Sequence, residues 1–431
     1  MKKLLTIFII FLFVISYVQS YEEHESKNTI SQGNKSFRMP DRIFEMGINA
    51  GAGVATNIFK PLEFFRKGEV VEIDLNGLNK GLDVGFDVNA MPLFFNVNVR
   101  DEWGFGLDIA KITAYGNIEI SGNLLQFSQT DKDGDNFGFG ASAFTEVGIP
   151  VFFHIKNVWD YRALKINFRP AGFIPVLYAV PNMTYTMTDI NKKDQQGVYL
   201  GLDYEARIYA PVSLNSDSGI DISTLNVGSA LGVDFSLGAE FPLFDWIDVG
   251  VDFVNIPLAA SKLSDYMLMK GNISIDTSKM GLSHFFGGED PPEGAMSFPD
   301  NYDPSYGFEE RRFYRPFKML FSADFRLFRL LDLFEFPSIS ILPVLGFSIN
   351  PVYVNPGAVE AALRFRVDLA NMLITTLGFA YEDRMWKNGI DLTFNFRALE
   401  LDIGASMQSQ DFVKSWQGTG VRVYLGTKFG W

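Results

Sequence analysis

The sequence predicts an all-β fold, a transmembrane antiparallel β-barrel of about 14 strands within a range of roughly 12 to 16. Four segments in residues 373–431 alternate apolar side chains with small or polar ones. A period of two is typical of a strand whose two faces meet different surroundings. The connections between segments are alternately short and long, as in outer-membrane barrels. No run after residue 20 is apolar enough for a spanning helix, so any membrane crossing must use strands.

Residues 1–20 are predicted to be a signal peptide. Lys2 and Lys3 precede an apolar run over residues 4–18, and Ser20 offers a small residue at the cleavage position. That run is shorter than the roughly 20 apolar residues of a spanning helix. Cleavage is therefore favoured over a membrane anchor.

Composition narrows the function classes. The chain has no cysteine and a formal net charge of −14. The absence of cysteine excludes a disulfide or a lipid-modified amino-terminal cysteine. The negative net charge argues against a nucleic-acid partner. The 42 Phe and 16 Tyr residues are expected where many side chains face lipid or line its interfaces. A Phe-rich soluble core has the same composition.

Residues 21–80 are less regular and are interpreted as an amino-terminal arm. This arm either folds into the lumen as a plug or contributes a first strand. Residues 61–78 have room for one or two helix turns, with Phe64 and Phe65 on their apolar side. Both phenylalanines are candidate contacts for a hydrophobic ligand.

Residues 81–431 form the predicted barrel domain. A soluble antiparallel sandwich also alternates in this way, but it has no reason to sort its connections by length. With the carboxyl terminus on the periplasmic side, long connections fall outside and short ones inside, except at 326–338. The predicted strands are 82–88, 95–99, 103–109, 137–143, 198–208, 231–241, 247–253, 317–325, 339–349, 359–369 and the four segments of 373–431. The predicted outer connections are 408–419, 382–389, 351–357, 255–316 and 212–230.

The segment 168–178 combines two prolines and a glycine with apolar residues. Pro170 and Pro175 lack the amide donors that a strand ladder needs. With Gly172 they are candidates for a kink that opens the wall sideways to lipid, because breaks in barrels tend to lie near sites. The alternative is a strand end entering a loop. Phe173 and Tyr178 in the same segment are candidate ligand contacts.

Asp131, Asp133 and Asp135 resemble the start of an EF-hand calcium loop, in which alternate carboxylates converge on one ion. Ser142 stands where that loop has its bidentate glutamate. A solvated hairpin turn is the alternative, because Asp and Gly are common in turns. Apart from this possible structural calcium, no cofactor is expected.

The sequence does not predict an enzyme. It contains three histidines, His24, His154 and His284. None lies in a strand pattern that pairs it with a serine at a barrel rim. No nucleophile elbow, metal cluster or phosphate-binding loop is present in the sequence.

The last nine residues resemble the carboxyl-terminal strand of bacterial outer-membrane proteins. Phe429 and Trp431 are the aromatic residues of that resemblance, with Leu425 and Val423 at alternate positions before them. In that class the barrel-assembly machinery reads this signal, which implies that machinery as a partner. Both rings also suit the interfacial aromatic girdle.

The signal peptide, the irregular arm, about 14 strands and the proline-rich early wall together resemble the FadL-type long-chain fatty-acid transporters. In that family an amino-terminal hatch fills the lumen, and substrates leave sideways through a strand kink. The family's Asn-Pro-Ala hatch motif is not matched, because Ile48-Asn49-Ala50 lacks the proline. The resemblance implies passive transport of small hydrophobic compounds in the outer membrane of a double-membrane bacterium, with membrane lipid around the barrel.

Two alternatives remain open. A surface adhesin or structural barrel would bind a partner through its outer loops, especially residues 270–316. A general polar porin would use charged residues on the inward face. The predicted lumen charges are Asp83, Asp87, Asp203, Glu205, Arg207, Glu360, Arg364, Arg366 and Asp368.

Overall fold

The computed structural model describes most of the chain after residue 42. The described residues are 43–56, 81–99, 102–121, 137–159, 162–192, 195–215, 219–221, 227–276, 296–297, 305–327, 338–350, 359–369, 372–382, 385–396, 398–409 and 412–431.

Strands dominate the described residues. In chain order they are β1 (Phe44–Thr56), β2 (Gly81–Val99), β3 (Trp103–Ser121), β4 (Phe137–Gly148), β5 (Val151–Trp159), β6 (Arg162–Lys192), β7 (Gln195–Tyr209), β8 (Ser213–Asn215), β9 (Gly219–Asp221), β10 (Gly232–Phe244), β11 (Ile247–Ala259), β12 (Ser261–Asp276), β13 (Met296–Ser297), β14 (Ser305–Phe313), β15 (Phe317–Arg326), β16 (Ser338–Asn350), β17 (Val359–Leu369), β18 (Leu373–Glu382), β19 (Met385–Phe396), β20 (Leu399–Ser409) and β21 (Gly420–Gly430). Two one-turn helices are described, α1 (Val227–Ala230) and α2 (Phe412–Ser415). No helix among the described residues is long and apolar enough to cross a membrane.

The sheet closes on itself through β1. This strand pairs antiparallel with β2 on one side and with β21 on the other. Gly51, for example, faces Asn89 of β2 and Tyr424 of β21. Closure pairs the first and last described strands of the barrel, which would otherwise be open sheet edges.

Four wall strands consist of two collinear segments each. These are β4 with β5, β7 with β10, β11 with β12, and β14 with β15, because both members of each pair lie against the same neighbouring strand or strand pair. With these joins the structure is a closed antiparallel barrel of 14 strands. The predicted fold class and strand number are confirmed.

Strand β17 shows why the wall alternates. Glu360, Arg364 and Arg366 are buried, whereas Leu363 and Phe365 between them are exposed. In a barrel the buried polar side chains face the lumen and the exposed apolar ones face outward. The same reversal of the soluble pattern recurs around the wall, as expected for a barrel that meets lipid.

The predicted arrangement of 198–208 and 231–241 as neighbouring strands is wrong. Strands β7 and β10 both pair with β6 and follow one another along a single wall position. Both segments alternate equally well, and alternation does not specify a partner. Their connection leaves the wall partway along its length and does not join two strand ends.

The predicted loop 255–316 is also wrong in extent. Strand β12 continues to Asp276 and β14 begins at Ser305. The alternation within β12 is irregular, because Asp265 falls among its apolar positions and Leu268 among its polar ones.

Within the predicted arm, residues 44–56 form β1, which is the first-strand alternative. The remainder of residues 21–80, including Phe64 and Phe65, lies outside the described residues.

Candidate functional site

The wall is interrupted beside β6. Strand β10 pairs with β6 up to Phe173, opposite Gly232, and β7 pairs with it from Tyr178, opposite Tyr209. Residues 174–177 of β6 fall between these two registers. Over the same interval, the described residues 210–215, 219–221 and 227–231 lie outside the barrel sheet before the chain returns in β10. We call the interruption between Tyr209 and Gly232 the wall gap.

The predicted kink residues lie next to the wall gap. Pro170 pairs with Phe235 of β10 on one side of β6, and Pro175 pairs with Phe144 of β4 on the other side. The register between β4 and β6 shifts at this point, so Val176 is an extra residue in β6. The segment is not a strand end, because β6 continues to Lys192. A sideways opening to lipid stays a prediction.

A set of buried apolar side chains lies on the lumen face beside the wall gap. Phe173 and Tyr178, the two predicted ligand contacts on β6, both belong to it. Tyr178 packs on Phe313 with ring centroids 4.7 Å apart, and Phe144 meets Phe173 edge-on at 6.0 Å. The members of this lumen aromatic cluster are Phe144, Phe173, Tyr178, Tyr209, Ala230, Leu263 and Phe313.

The cluster also secures the chain that leaves the wall. Ala230, at the end of α1, is 1% exposed. Its carbonyl accepts a 2.6 Å hydrogen bond from the Ser261 hydroxyl of β12. At Gly232 a side chain would collide with the Phe173 ring, so the returning chain passes close over the cluster.

Ion pairs fill the lumen next to the cluster. Arg169 of β6 donates from Nε to Asp108 at 2.7 Å and from Nη2 to Glu146 at 2.5 Å. Lys111 Nζ lies 3.5 Å from the same Glu146 carboxylate. A side chain at Gly148 would collide with the Arg169 guanidinium, so glycine at that position leaves room for it.

Arg315 extends this arrangement across the lumen. It lies in the break between β14 and β15 and donates to both carboxylate oxygens of Asp234, at 2.7 and 2.5 Å. Its Nη1 also contacts Glu146. Three cations and three carboxylates thus form a six-residue ion network made of Asp108, Lys111, Glu146, Arg169, Asp234 and Arg315.

The network and the cluster are contiguous. The Arg315 guanidinium lies 5.2 Å from the centre of the Phe173 ring, in a cation–π arrangement. On β6 the network residue Arg169 precedes Phe173, and β6 begins next to the short connection after Trp159. The network therefore lies between the cluster and the end of the barrel at which β6 begins.

Charges around the rest of the lumen are largely paired. Arg366 donates to Asp324, Lys318 contacts Glu360, and Arg422 contacts Asp87. Among the predicted lumen charges, Asp87, Glu360, Arg364, Arg366 and Asp368 are buried on the inward face. Glu205 and Arg207 pair with each other at 3.2 Å and are partly exposed. The side chains of Asp83 and Asp203 lie outside the described residues.

Phe429 and Trp431 lie on the outer surface at the short-connection end. They are 49% and 66% exposed, and Trp431 also packs against Phe44 of β1 at 5.1 Å. This placement suits an interfacial girdle. Recognition by the assembly machinery stays a prediction.

The calcium prediction cannot be placed on this structure, because Asp131, Asp133 and Asp135 lie outside the described residues. Within the described ranges, no three His, Asp or Glu side chains converge in a metal-binding group.

Comparison with solved structures returned outer-membrane channels. The chain is similar to TodX. That Pseudomonas putida toluene transporter shares 11% identity over 91% of each chain, with a TM-score of 0.39. The Ralstonia pickettii toluene transporter TbuX gives 10% identity over 90% of this chain and 89% of its own, with a TM-score of 0.40. A Pseudomonas aeruginosa FadL homologue gives 11%, 90% of each chain and 0.39.

These TM-scores lie below 0.5. The barrel is established by the strand pairings of this chain. No protein-family model matches the sequence, and no curated protein sequence matches it.

Sequence reasoning missed most of the cluster and network. Phe313 ends β14, and Arg315 lies in the break that follows it. Neither residue belongs to a segment with a clear two-residue alternation. Asp108, Glu146 and Asp234 are recognisable as inward charges from the alternation, but their partners come from distant strands. The sequence signal for these residues was a charged position that alternates with apolar ones, which predicts a side chain facing the lumen.

Proposed function

We propose that this protein is a passive transport barrel for small hydrophobic compounds in the outer membrane of a double-membrane bacterium. The observation that carries the proposal is the lumen aromatic cluster placed beside the wall gap. Elsewhere, the described inward-facing residues are mostly charged, polar or small, with single buried apolar side chains such as Leu320, Leu342 and Ile374. At the gap, by contrast, the apolar side chains pack together as one cluster.

The outer surface supports the location. Exposed apolar side chains occur on strands all around the barrel, including Phe86, Phe153, Phe321, Leu377 and Leu425. A continuous apolar belt around a closed barrel is the surface that a bilayer covers. The surrounding partner is therefore membrane lipid.

The route follows from the position of the ion network. A compound that passes straight through the lumen from the cluster would have to separate Arg315 from Asp234 and Glu146, all of them buried. Breaking buried pairs is strongly unfavourable. Leaving through the wall gap exchanges aromatic contacts for lipid without separating these charges.

The segment 210–231 interrupts the wall between β7 and β10, and an experiment can replace it. Between Phe173 and Tyr178 the paired strand β6 has four residues, whereas the opposite chain has 22, residues 210–231. Replacing those residues by a four-residue strand segment joins β7 to β10 and closes the gap. Uptake of radiolabelled toluene by host cells that express this variant is expected to fall to the level of cells without the protein.

A deletion of similar length within residues 277–295, which lie between β12 and β13, serves as the control and should leave uptake unchanged. Heat-modifiable gel mobility checks that both variants are folded barrels. Undiminished toluene uptake by the folded, gap-closed variant would contradict the proposed route.

A further inference from the structure

A second feature of the lumen lies among β17–β21, β2 and β3. Small residues face inward there in adjacent strands: Gly378 of β18 pairs with Gly389 of β19, and Gly389 pairs with Ser406 of β20. The resulting hollow, here called the charged cleft, contains about 770 Å³ of empty space, part of it continuous with solvent.

Two cations at one side of the cleft share a single carboxylate. Arg364 Nη2 lies 3.5 Å from one oxygen of Glu382, and Lys387 Nζ lies 3.6 Å from the other. Both distances exceed those of a good charge-assisted hydrogen bond, which are about 2.7–2.9 Å. The Arg315–Asp234 pair in the ion network is closer, with two donors at 2.7 and 2.5 Å.

Arg364 has hydrogen-bonding capacity to spare. Its side chain is 5% exposed, and among the described residues its Nη1 has no hydrogen-bond partner. A buried guanidinium nitrogen without an acceptor is unfavourable, since the lost hydration is not replaced. An acceptor placed against Nη1 would restore that hydrogen bond. Because Nη1 itself has no exposed surface, this requires the guanidinium to turn toward the cleft.

The opposite side of the cleft offers an acceptor and two rings. The Asp391 carboxylate lies over Gly404, where a side chain would collide with it. Tyr115 and Tyr424 line the same space. A second anionic group on a ligand would be repelled by Asp391, whereas a hydroxyl would donate to it.

We propose that the charged cleft binds a small monocarboxylate whose uncharged part carries hydroxyl groups. The ligand carboxylate accepts hydrogen bonds from Arg364 Nη1 and from Lys387, its hydroxyls donate to Asp391, and its carbon skeleton lies between the tyrosine rings. This ligand class and this site differ from those of the hydrophobic route, so the proposal goes beyond the proposed function and does not depend on it.

Saturation-transfer difference NMR on the detergent-folded full barrel tests the proposal, because it detects weak binding. Gluconate is the probe, and glucose is its neutral counterpart. Gluconate is expected to bind saturably and glucose not to bind. Arg364→Met and Lys387→Met should each raise the dissociation constant for gluconate by about tenfold or more, because each removes a charge-assisted hydrogen bond. Lys387→Met keeps the test available if Arg364→Met does not fold.

Lys262→Met is the matched control, because Lys262 is half exposed on β12 and pairs with Glu310. It should leave gluconate binding unchanged. Three results would overturn the proposal: no saturable gluconate binding, glucose binding of equal strength, or an equal loss of gluconate affinity in Lys387→Met and Lys262→Met. Loss of toluene uptake alone would bear on the proposed function and not on this site.

Discussion

The two halves of the barrel wall are built differently. Strands β16–β21 and β1 form a short half, in which each strand has 10 to 13 residues and runs without a break. Strands β2–β15 form a long half, in which β2 and β3 have 19 residues and β6 has 31. Because roughly 9–11 residues suffice for a spanning strand, the short half is close to the minimum that a membrane needs.

The extra length of the long half provides interior structure. Its breaks at residues 149–150, 210–231, 260 and 314–316 lie where the lumen aromatic cluster and the ion network are packed. The short half has an uninterrupted ladder and a hollow in place of a packed interior. The comparison teaches that the short strands hold the barrel closed, while the long and the interrupted strands supply the residues of the cluster and the network.

The largest effect is expected from Glu146→Ala in the ion network of the long half. This change leaves Arg169 and Arg315 buried without their shared carboxylate. We expect the free energy of unfolding in urea, measured on the lipid-reconstituted protein, to fall by about 3–5 kcal/mol. Glu309→Ala is the control, because its pair with Arg207 is half exposed and is worth at most about 1 kcal/mol. Equal losses in the two variants would show that the network does not stabilise the long half.

Removing one aromatic ring from each half sharpens the comparison. Phe313→Ala opens a cavity in the lumen aromatic cluster, where Phe313 is 1% exposed, and should lower the unfolding free energy by about 3–5 kcal/mol. Phe365→Ala on β17 removes a ring that faces outward, so lipid refills the space and the expected loss is about 2 kcal/mol. Urea titrations of both variants measure the difference. A larger loss for Phe365→Ala would mean that the cluster is loosely packed.

The smallest expected effect concerns aromatic contacts on the outside of the short half. Trp416, just after α2, packs on Phe379 of β18 with ring centroids 5.6 Å apart. A double-mutant cycle with Phe379→Leu and Trp416→Leu should give a coupling free energy of about 0.5–1.5 kcal/mol. Leu345 and Leu425, distant from each other on this outer face, form the control pair and should show no coupling. Absence of coupling between Phe379 and Trp416 would mean that α2 does not rest on the wall.

The sequence predicted the short half better than the long half for a physical reason. Along β17–β21 one face is the apolar outer surface and the other faces the lumen. The polarity of each side chain therefore indicates the face on which it lies. The upper part of β6 carries Asn182, Thr184 and Thr186 and pairs with β7 far from the apolar belt. The two-residue signal is present there, since Met183, Tyr185 and Met187 alternate with these polar residues. The strand was not predicted because Pro170 and Pro175 predicted a break before it.

The candidate site divides in the same way. Phe173 and Tyr178 were predicted as ligand contacts from local features, and the structure brings both into one cluster. Tyr209, Phe313 and Arg315 reach that place through the pairing of distant strands, which alternation cannot specify. Contact with a ligand stays a prediction for all of them.

The pairing of β1 with β21 has a consequence for the order of assembly. Glu45 faces Gly430, close to the last residue of the chain, so this seam has the greatest sequence separation in the molecule. Its loop-closure entropy can be offset only after every other strand is in place. Until then β1 and β21 are unprotected edges that are able to pair with other chains. A partly folded barrel therefore depends on being held apart from its copies until this seam has formed.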